Sequence, residues 1–162
     1  MSTKKTFVVL AGIPYSGKTT FREFYLRDFA TISLDDLVKE VAKEQQKTYN
    51  EVWASCVKEC NVKLNKLYDQ YKDTHTVVDM TNLTAKKRRN LLKDHANGRY
   101  KVCIYFPIPE PEELANRVLS RPSQTIAPSL LKNMADMYVY PTLEEGFDKI
   151  YTPEQFIEEI LK

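Results

Sequence analysis

Phe7-Val8-Val9-Leu10-Ala11-Gly12-Ile13-Pro14-Tyr15-Ser16-Gly17-Lys18-Thr19-Thr20 is an apolar run that meets a glycine, crosses four variable residues and closes on Gly-Lys-Thr. With a buried strand before it and an amphipathic helix after it, GxxxxGK[ST] reads as the loop that cradles nucleotide phosphates. Gly12 and Gly17 are expected to supply positive φ angles and close backbone approach, so that successive N–H groups point at an anion. The helix that follows adds the positive end of its dipole. Tyr15, Ser16 and Thr20 complete the lining, Lys18 is expected to reach the β- and γ-phosphates of ATP, and Thr19 to ligate Mg²⁺ through its hydroxyl. The four fixed positions arise by accident in roughly one chain of this length in a few hundred.

Working outward, 162 residues suit a single domain, 1–162, with a core large enough for helices on both faces of a sheet. The 24 basic and 22 acidic residues leave a net charge of +2, so any basic surface must be local. Met1-Ser2-Thr3-Lys4-Lys5 leads into only five apolar residues before Gly12, too short for a signal peptide or membrane span, and a cytoplasmic location with no membrane partner is expected. Cys56, Cys60 and Cys103 have no zinc-ligand spacing and read as reduced thiols, the first two as core fillers one helical turn apart.

The apolar runs 7–11, 76–80 and 102–106 read as strands buried on both faces, with weaker candidates at 30–33 and 149–151. Between them fall helical segments at about 18–28, 36–46, 50–72 and 84–96. Phe21, Phe24, Tyr25 and Phe29 line one side of the first, and Trp53, Val57, Cys60, Leu64, Leu67 and Tyr71 form the stripe of the longest. Pro111 and Pro128 suit the first turns of two later helices, and Thr152-Pro153-Glu154-Gln155 is a capping box opening the last. Alternation of strand and helix after a phosphate loop implies a three-layer α/β fold with a mostly parallel sheet, whose ligands bind at the carboxyl ends of the strands.

Residues following each run therefore carry the chemistry. Asp35 and Asp36 come after the second strand and Asp79 ends the third, so three carboxylates converge on the mouth of the loop. Asp35 is the expected general base and Asp79 a metal-side ligand, though either of the first pair could instead cap the helix near 36, and Asp79 a turn. Arg117 and Arg121 stand four apart before Pro122-Ser123-Gln124-Thr125 and read as lid cations closing over a transferred phosphoryl group. Lys86-Lys87-Arg88-Arg89 opens the helix after Thr81-Asn82-Leu83. It reads either as a solvated basic turn or as a contact for phosphate or acidic polymer.

Taken together, the phosphate loop, Ser33-Leu34-Asp35-Asp36, Asp79-Met80-Thr81-Asn82-Leu83, the Arg117/Arg121 pair and Tyr140-Pro141-Thr142-Leu143-Glu144-Glu145-Gly146-Phe147 resemble the phage-type polynucleotide kinase family of P-loop phosphotransferases. The resemblance implies a P-loop NTPase fold with about five parallel strands ordered 2-3-1-4-5 and a small helical lid. It also implies transfer of the ATP γ-phosphate to a hydroxyl, commonly the 5′-OH of DNA or RNA. Lys18 and Thr19 would hold ATP and Mg²⁺, Asp35 would be the base, Arg117 or Arg121 the lid arginine, and Asp35, Asp36, Thr81, Asn82 and Arg88 would meet the acceptor. One departure stands out: the arginine that such kinases place three residues after the base is Val38 here. A clamp for the acceptor's phosphate must then come from Lys39, Arg88 or Arg89, or be absent. Members of the wider group phosphorylate hydroxymethylated bases, nucleosides or small molecules, and a nucleotide-dependent switch would use the same loop without an acceptor. A homo-oligomer is compatible with the sequence.

Overall fold

A computed structural model describes residues 4–122 and 124–162, so Met1–Thr3 and the Ser123 of the expected lid segment lie outside the described residues. In chain order the elements are β1 (Thr6–Ala11), α1 (Lys18–Tyr25), β2 (Ala30–Ile32), α2 (Leu34–Gln45), α3 (Tyr49–Gln70), β3 (Thr76–Asp79), α4 (Ala85–His95), β4 (Tyr100–Tyr105), α5 (Pro111–Leu119), α6 (Pro128–Met137), β5 (Lys149–Tyr151) and α7 (Pro153–Ile160). A 3-10 turn at Leu143–Glu145 precedes β5. The five strands are all parallel and ordered β2-β3-β1-β4-β5, as the resemblance implies.

Side-chain alternation along β1 divides the interior in two. Phe7, Val9 and Ala11 pack with Ile32, Val78, Leu64, Tyr68 and Leu92 under α3 and α4. Val8 and Leu10 pack with Phe21, Leu26, Val77 and Phe106 on the opposite face, where Phe156 and Ile157 of α7 close the layer. Burial on both faces is why these strands are continuous Val/Ile/Leu runs rather than alternating ones. The caps fall where the residue types place them: Thr84 accepts from the Lys87 N–H, and Thr152 and Gln155 form the expected capping box. Ser33, not Asp35 or Asp36, caps α2, accepting from the Asp36 N–H at 3.2 Å. Asp35 thereby sits in the first turn with its carboxylate free of capping duty.

Two helical faces differ from the sequence reading. Phe24 is 74% exposed, because α1 ends at Tyr25 and turns only Phe21 and Tyr25 toward the sheet. The buried stripe of α3 is Val52, Cys56, Cys60, Leu64 and Tyr68, a pure four-residue spacing that shares Cys60 and Leu64 with the expected one, leaves Trp53 and Val57 off it and has Leu67 and Tyr71 only partly buried at its side. Cys56, Cys60 and Cys103 are free and buried, as expected.

The basic run of α4 is corrected more sharply. Lys86, Lys87 and Arg89 are exposed, but Arg88 is 0% exposed, its Nε donating to Glu145 Oε1 at 2.6 Å and its Nη2 to Oε2 at 3.1 Å. Nη1 donates to the Asn82 carbonyl, and Glu145 Oε2 also accepts from the Thr142 N–H. This fork joins α4 to the turn before β5, so Arg88 meets no acceptor. Removing one partner leaves an uncompensated buried charge. Arg88→Met is accordingly expected to cost about 3 kcal/mol of stability, read as a lowered urea midpoint. Arg88→Met/Glu145→Met should recover most of that loss.

Candidate active site

The carboxyl ends of β1, β2 and β3 open into one cleft of about 480 Å³. Its floor is Asp79, Met80 and Thr81, and one wall is the phosphate loop. The other wall is the α2–α3 corner with Leu34, Asp35, Tyr49 and Trp53, and residues 124–130 cover it. The chain has built this by ending strands on polar residues at the edge of the parallel sheet, where α/β ligands bind.

Gly17 has φ 100°, the left-handed value that glycine adopts without penalty. Gly12 does not. A side chain there would collide, because a Cβ would lie 2.7 Å from Ser16 Oγ and 3.0 Å from Phe106 Cβ, so this glycine serves close approach alone. The second left-handed residue of the loop is Tyr15, at φ 69°. A non-glycine residue in that region costs about 1 kcal/mol, and the surroundings hold it there: its hydroxyl donates to the Gln124 carbonyl at 2.9 Å, and its own carbonyl accepts from Arg117 at 2.7 Å. Arg121 lies over its ring, 5.9 Å from the centroid. Tyr15 thus ties the phosphate loop to Arg117 of α5 and to Gln124, and Asn50 ties Thr125 to α3 through Thr125 Oγ1 at 2.9 Å.

Lys18 is buried, and its Nζ donates to the Gly12 and Ile13 carbonyls at 2.8 Å each. Burial lowers its pKa to about 8, against the opposing pull of Asp79 and Asp35. Thr19 Oγ1 donates to Asp79 Oδ2 at 2.9 Å, one residue further along the first turn of α1, whereas Thr20 is exposed. Asp79 is held above the usual carboxylate range by burial, with Arg22, Thr19 and Lys18 pulling it down. Arg22 Nε is 3.0 Å from Asp79 Oδ2 without hydrogen-bond alignment, so that contact is Coulombic. Its Nη1 donates to Asp36 Oδ2 at 3.0 Å.

Asp35 accepts a 2.5 Å hydrogen bond from the Tyr49 hydroxyl at Oδ1. Burial first, and this bond to Asp35 second, push the Tyr49 phenol far above its ordinary value, so it remains a donor at all working pH values.

Most expected site residues are brought together, and some are not. Tyr15, Gly17, Lys18, Thr19, Asp35, Asp79, Thr81 and Arg121 line the cleft. Arg117 lies beside it, bonded to Tyr15 and to Glu113 Oε1 at 2.6 Å. Asp36 is turned to Arg22. Asn82 is buried and donates to the Leu10 carbonyl at 2.7 Å, a structural role that its amide fills with φ at 45°. Sequence reasoning missed Arg22, Tyr49 and Trp53. The last two are four apart on α3 and would have shown as an aromatic pair on one helix face.

A parallel 2-3-1-4-5 sheet with this loop between β1 and α1 defines a P-loop protein of the kinase fold. Residues 7–136 match the family model described as AAA domain, and the chain belongs to that family. Solved structures share the fold at low identity. A provisionally named kinase from Chloroflexus aurantiacus j-10-fl has a TM-score of 0.65 at 17% identity, over 99% of this chain and 98% of that one. A gluconokinase from Sinorhizobium meliloti 1021 has a TM-score of 0.55 at 17% identity, over 93% and 83%. A fungal RNA kinase has a TM-score of 0.59 at 15% identity, over 99% of this chain and 44% of that longer one. No curated protein matches the chain. Among the described residues no helix is long and apolar enough to cross a membrane.

Proposed function

We propose that the protein is an ATP- and Mg²⁺-dependent kinase that moves the γ-phosphate to a hydroxyl on nucleic acid, most simply a 5′-OH of DNA or RNA, as the phage-type polynucleotide kinases do. The observation that carries this reading is Asp35, held by Tyr49 in the same cleft as Lys18 and the phosphate loop. A nucleotide switch has no need of a carboxylate fixed there. Support for nucleic acid rather than a sugar comes from the aromatic pair beside Asp35, since every base offers a face for stacking.

In this reading the amides between Ile13 and Thr19 wrap the phosphates, and Lys18 exchanges two carbonyls for phosphate oxygens. Thr19 and Asp79 offer an all-oxygen donor pair that fits Mg²⁺. Thr19 and Asp79 would hold the ion together with oxygens of the nucleotide and of water, the ligands that Mg²⁺ ordinarily keeps beside one or two carboxylates. The ion, when bound, neutralises charge on the β- and γ-phosphates. Asp35 takes the proton of the acceptor hydroxyl as its oxygen bonds to the γ-phosphorus, the bond to the β–γ bridging oxygen breaks, and ADP leaves. Arg121, already in the cleft, and Arg117 beside it add charge to the transferred group, and the Tyr15–Gln124 and Asn50–Thr125 bonds keep water out.

A second reading, in which the hydroxyl belongs to a hydroxymethylated base in DNA or to a nucleoside, is favoured by Val38. It is fully buried in the α2–α3 core, leaving no guanidinium at the position where an end-processing kinase would grip the neighbouring phosphate. Labelled ATP offered to a 5′-OH oligonucleotide, to hydroxymethyluracil-containing DNA, to a nucleoside and to gluconate tests both. Label is expected on the oligonucleotide end. Label confined to internal bases would replace the first reading by the second, label on gluconate alone would refute both, and no label anywhere would leave the switch.

A further inference from the structure

Trp53 is the only tryptophan in the chain, and it is 37% exposed on the inner wall of the cleft, off the buried stripe of α3. Its ring stacks on Tyr49 with centroids 5.5 Å apart and an interplanar angle of 27°. Tyr49 is the residue whose hydroxyl holds Asp35. A large aromatic surface therefore stands one ring away from the proposed base. Leu34, Met80 and Leu130 line the same cleft and make that part of it apolar. Among the described lining residues the cations are Lys18 and Arg121, and each of them contacts the phosphate loop. A carboxylate or phosphate on the acceptor body would meet no opposite charge there, and a polyhydroxylated sugar would leave its hydroxyls against Leu34, Met80 and Leu130. The rim is different in kind: Asn50, Gln124 and Thr125 supply neutral amide and hydroxyl groups. Flat apolar faces with neutral hydrogen-bonding edges are what a heteroaromatic ring presents, and enzymes that act on nucleotides hold bases between such walls.

We propose that Trp53, with Tyr49 behind it, forms a stacking subsite for the nucleobase of the acceptor, which fixes the hydroxyl over Asp35 without a phosphate clamp. The proposal rests on the kinase reading above for its placement of Asp35, and adds what the second substrate must carry. It also accounts for Val38: recognition through a base face needs no arginine in α2.

Because Trp53 is the sole tryptophan, its fluorescence reports the contact directly. The protein, saturated with MgADP, is titrated with thymidine, with a 5′-OH dinucleotide and with gluconate. Thymidine and the dinucleotide are expected to quench emission saturably, and gluconate to leave it unchanged. In steady-state transfer, Trp53→Leu should raise the KM for a 5′-OH acceptor about tenfold or more, with the KM for ATP moved less than threefold, and Trp53→Phe should restore most of it. A Trp53→Leu protein with an unaltered acceptor KM, or an acceptor phosphorylated without quenching, overturns the subsite while leaving the kinase reading intact. Quenching by both base-bearing ligands with no transfer to any acceptor sustains the subsite and removes the kinase.

Discussion

Asp35→Asn is expected to lower phosphoryl transfer by about 10³-fold, within the usual contribution of a positioned general base, while the affinity for MgATP stays within a factor of two. The substitution is chosen for what it preserves. Asparagine is isosteric, and its carbonyl oxygen still accepts the Tyr49 hydrogen bond that holds the wild-type carboxylate at 2.5 Å. Only the basicity is lost. Asp35 is exposed in the first turn of a helix capped by Ser33, so loss of its charge costs the fold at most about 1 kcal/mol at the helix N-terminus. Single-turnover transfer and calorimetric nucleotide binding on the same preparation make the check. Undiminished transfer with tight MgATP binding would remove Asp35 from the mechanism. Tyr49→Phe is a useful companion: it keeps the ring against Trp53 and frees Asp35 Oδ1, so its deficit should be much smaller than that of Asp35→Asn.

The sheet and the helices were legible because each rests on a local rule. Buried parallel strands need unbroken apolar runs, and 7–11, 76–80 and 102–106 supply them; helix starts need a cap such as Thr84 or Thr152, or a proline at the first turn as at 111 and 128, and each of these stands at its helix. The phosphate loop was legible for the same reason, since its amides follow from sequence spacing alone. What failed did so where the answer depends on which way a helix is rolled. Lys86-Lys87-Arg88-Arg89 shows four cations in a row, and nothing local says that the third aligns with Leu92 on the inner face and meets Glu145 from 57 residues away. The apolar spacing places Trp53 on the buried stripe of α3, whereas the first turn of that stripe runs through Val52 and leaves Trp53 half-exposed in the cleft.

Tyr15 marks a different limit. Positive φ is a backbone property, and residue type predicts it only for glycine. The need for Gly12 is therefore steric rather than conformational, while the strained position carries a tyrosine whose hydroxyl reaches Gln124 and whose carbonyl reaches Arg117. Such strain persists only where surrounding contacts hold it, and here the bonds of Tyr15 to Gln124 and Arg117 do so.

Lys18→Ala is expected to abolish measurable transfer, a loss of at least about 10³-fold, and to weaken MgATP binding as well, which separates it from Asp35→Asn. The pH dependence of binding makes the assignment specific. In the free protein the buried ammonium has a pKa of about 8, lowered from 10.5 by desolvation. Triphosphate oxygens at the same amine favour its charged form and raise that value. The complex therefore holds more protons than the separated partners once the pH exceeds about 8, and binding takes up a proton there. By linkage the affinity of the wild type falls as the pH rises above 8, by up to about tenfold per unit, and is flat below it. Lys18→Ala has no such group, so its weaker affinity should be nearly independent of pH from 7 to 9. Calorimetry at pH 8.5 in two buffers of different ionisation enthalpy reads the proton uptake directly. Equal apparent enthalpies for the wild type in the two buffers would mean that the amine does not meet the phosphates, whatever the activity of the variant.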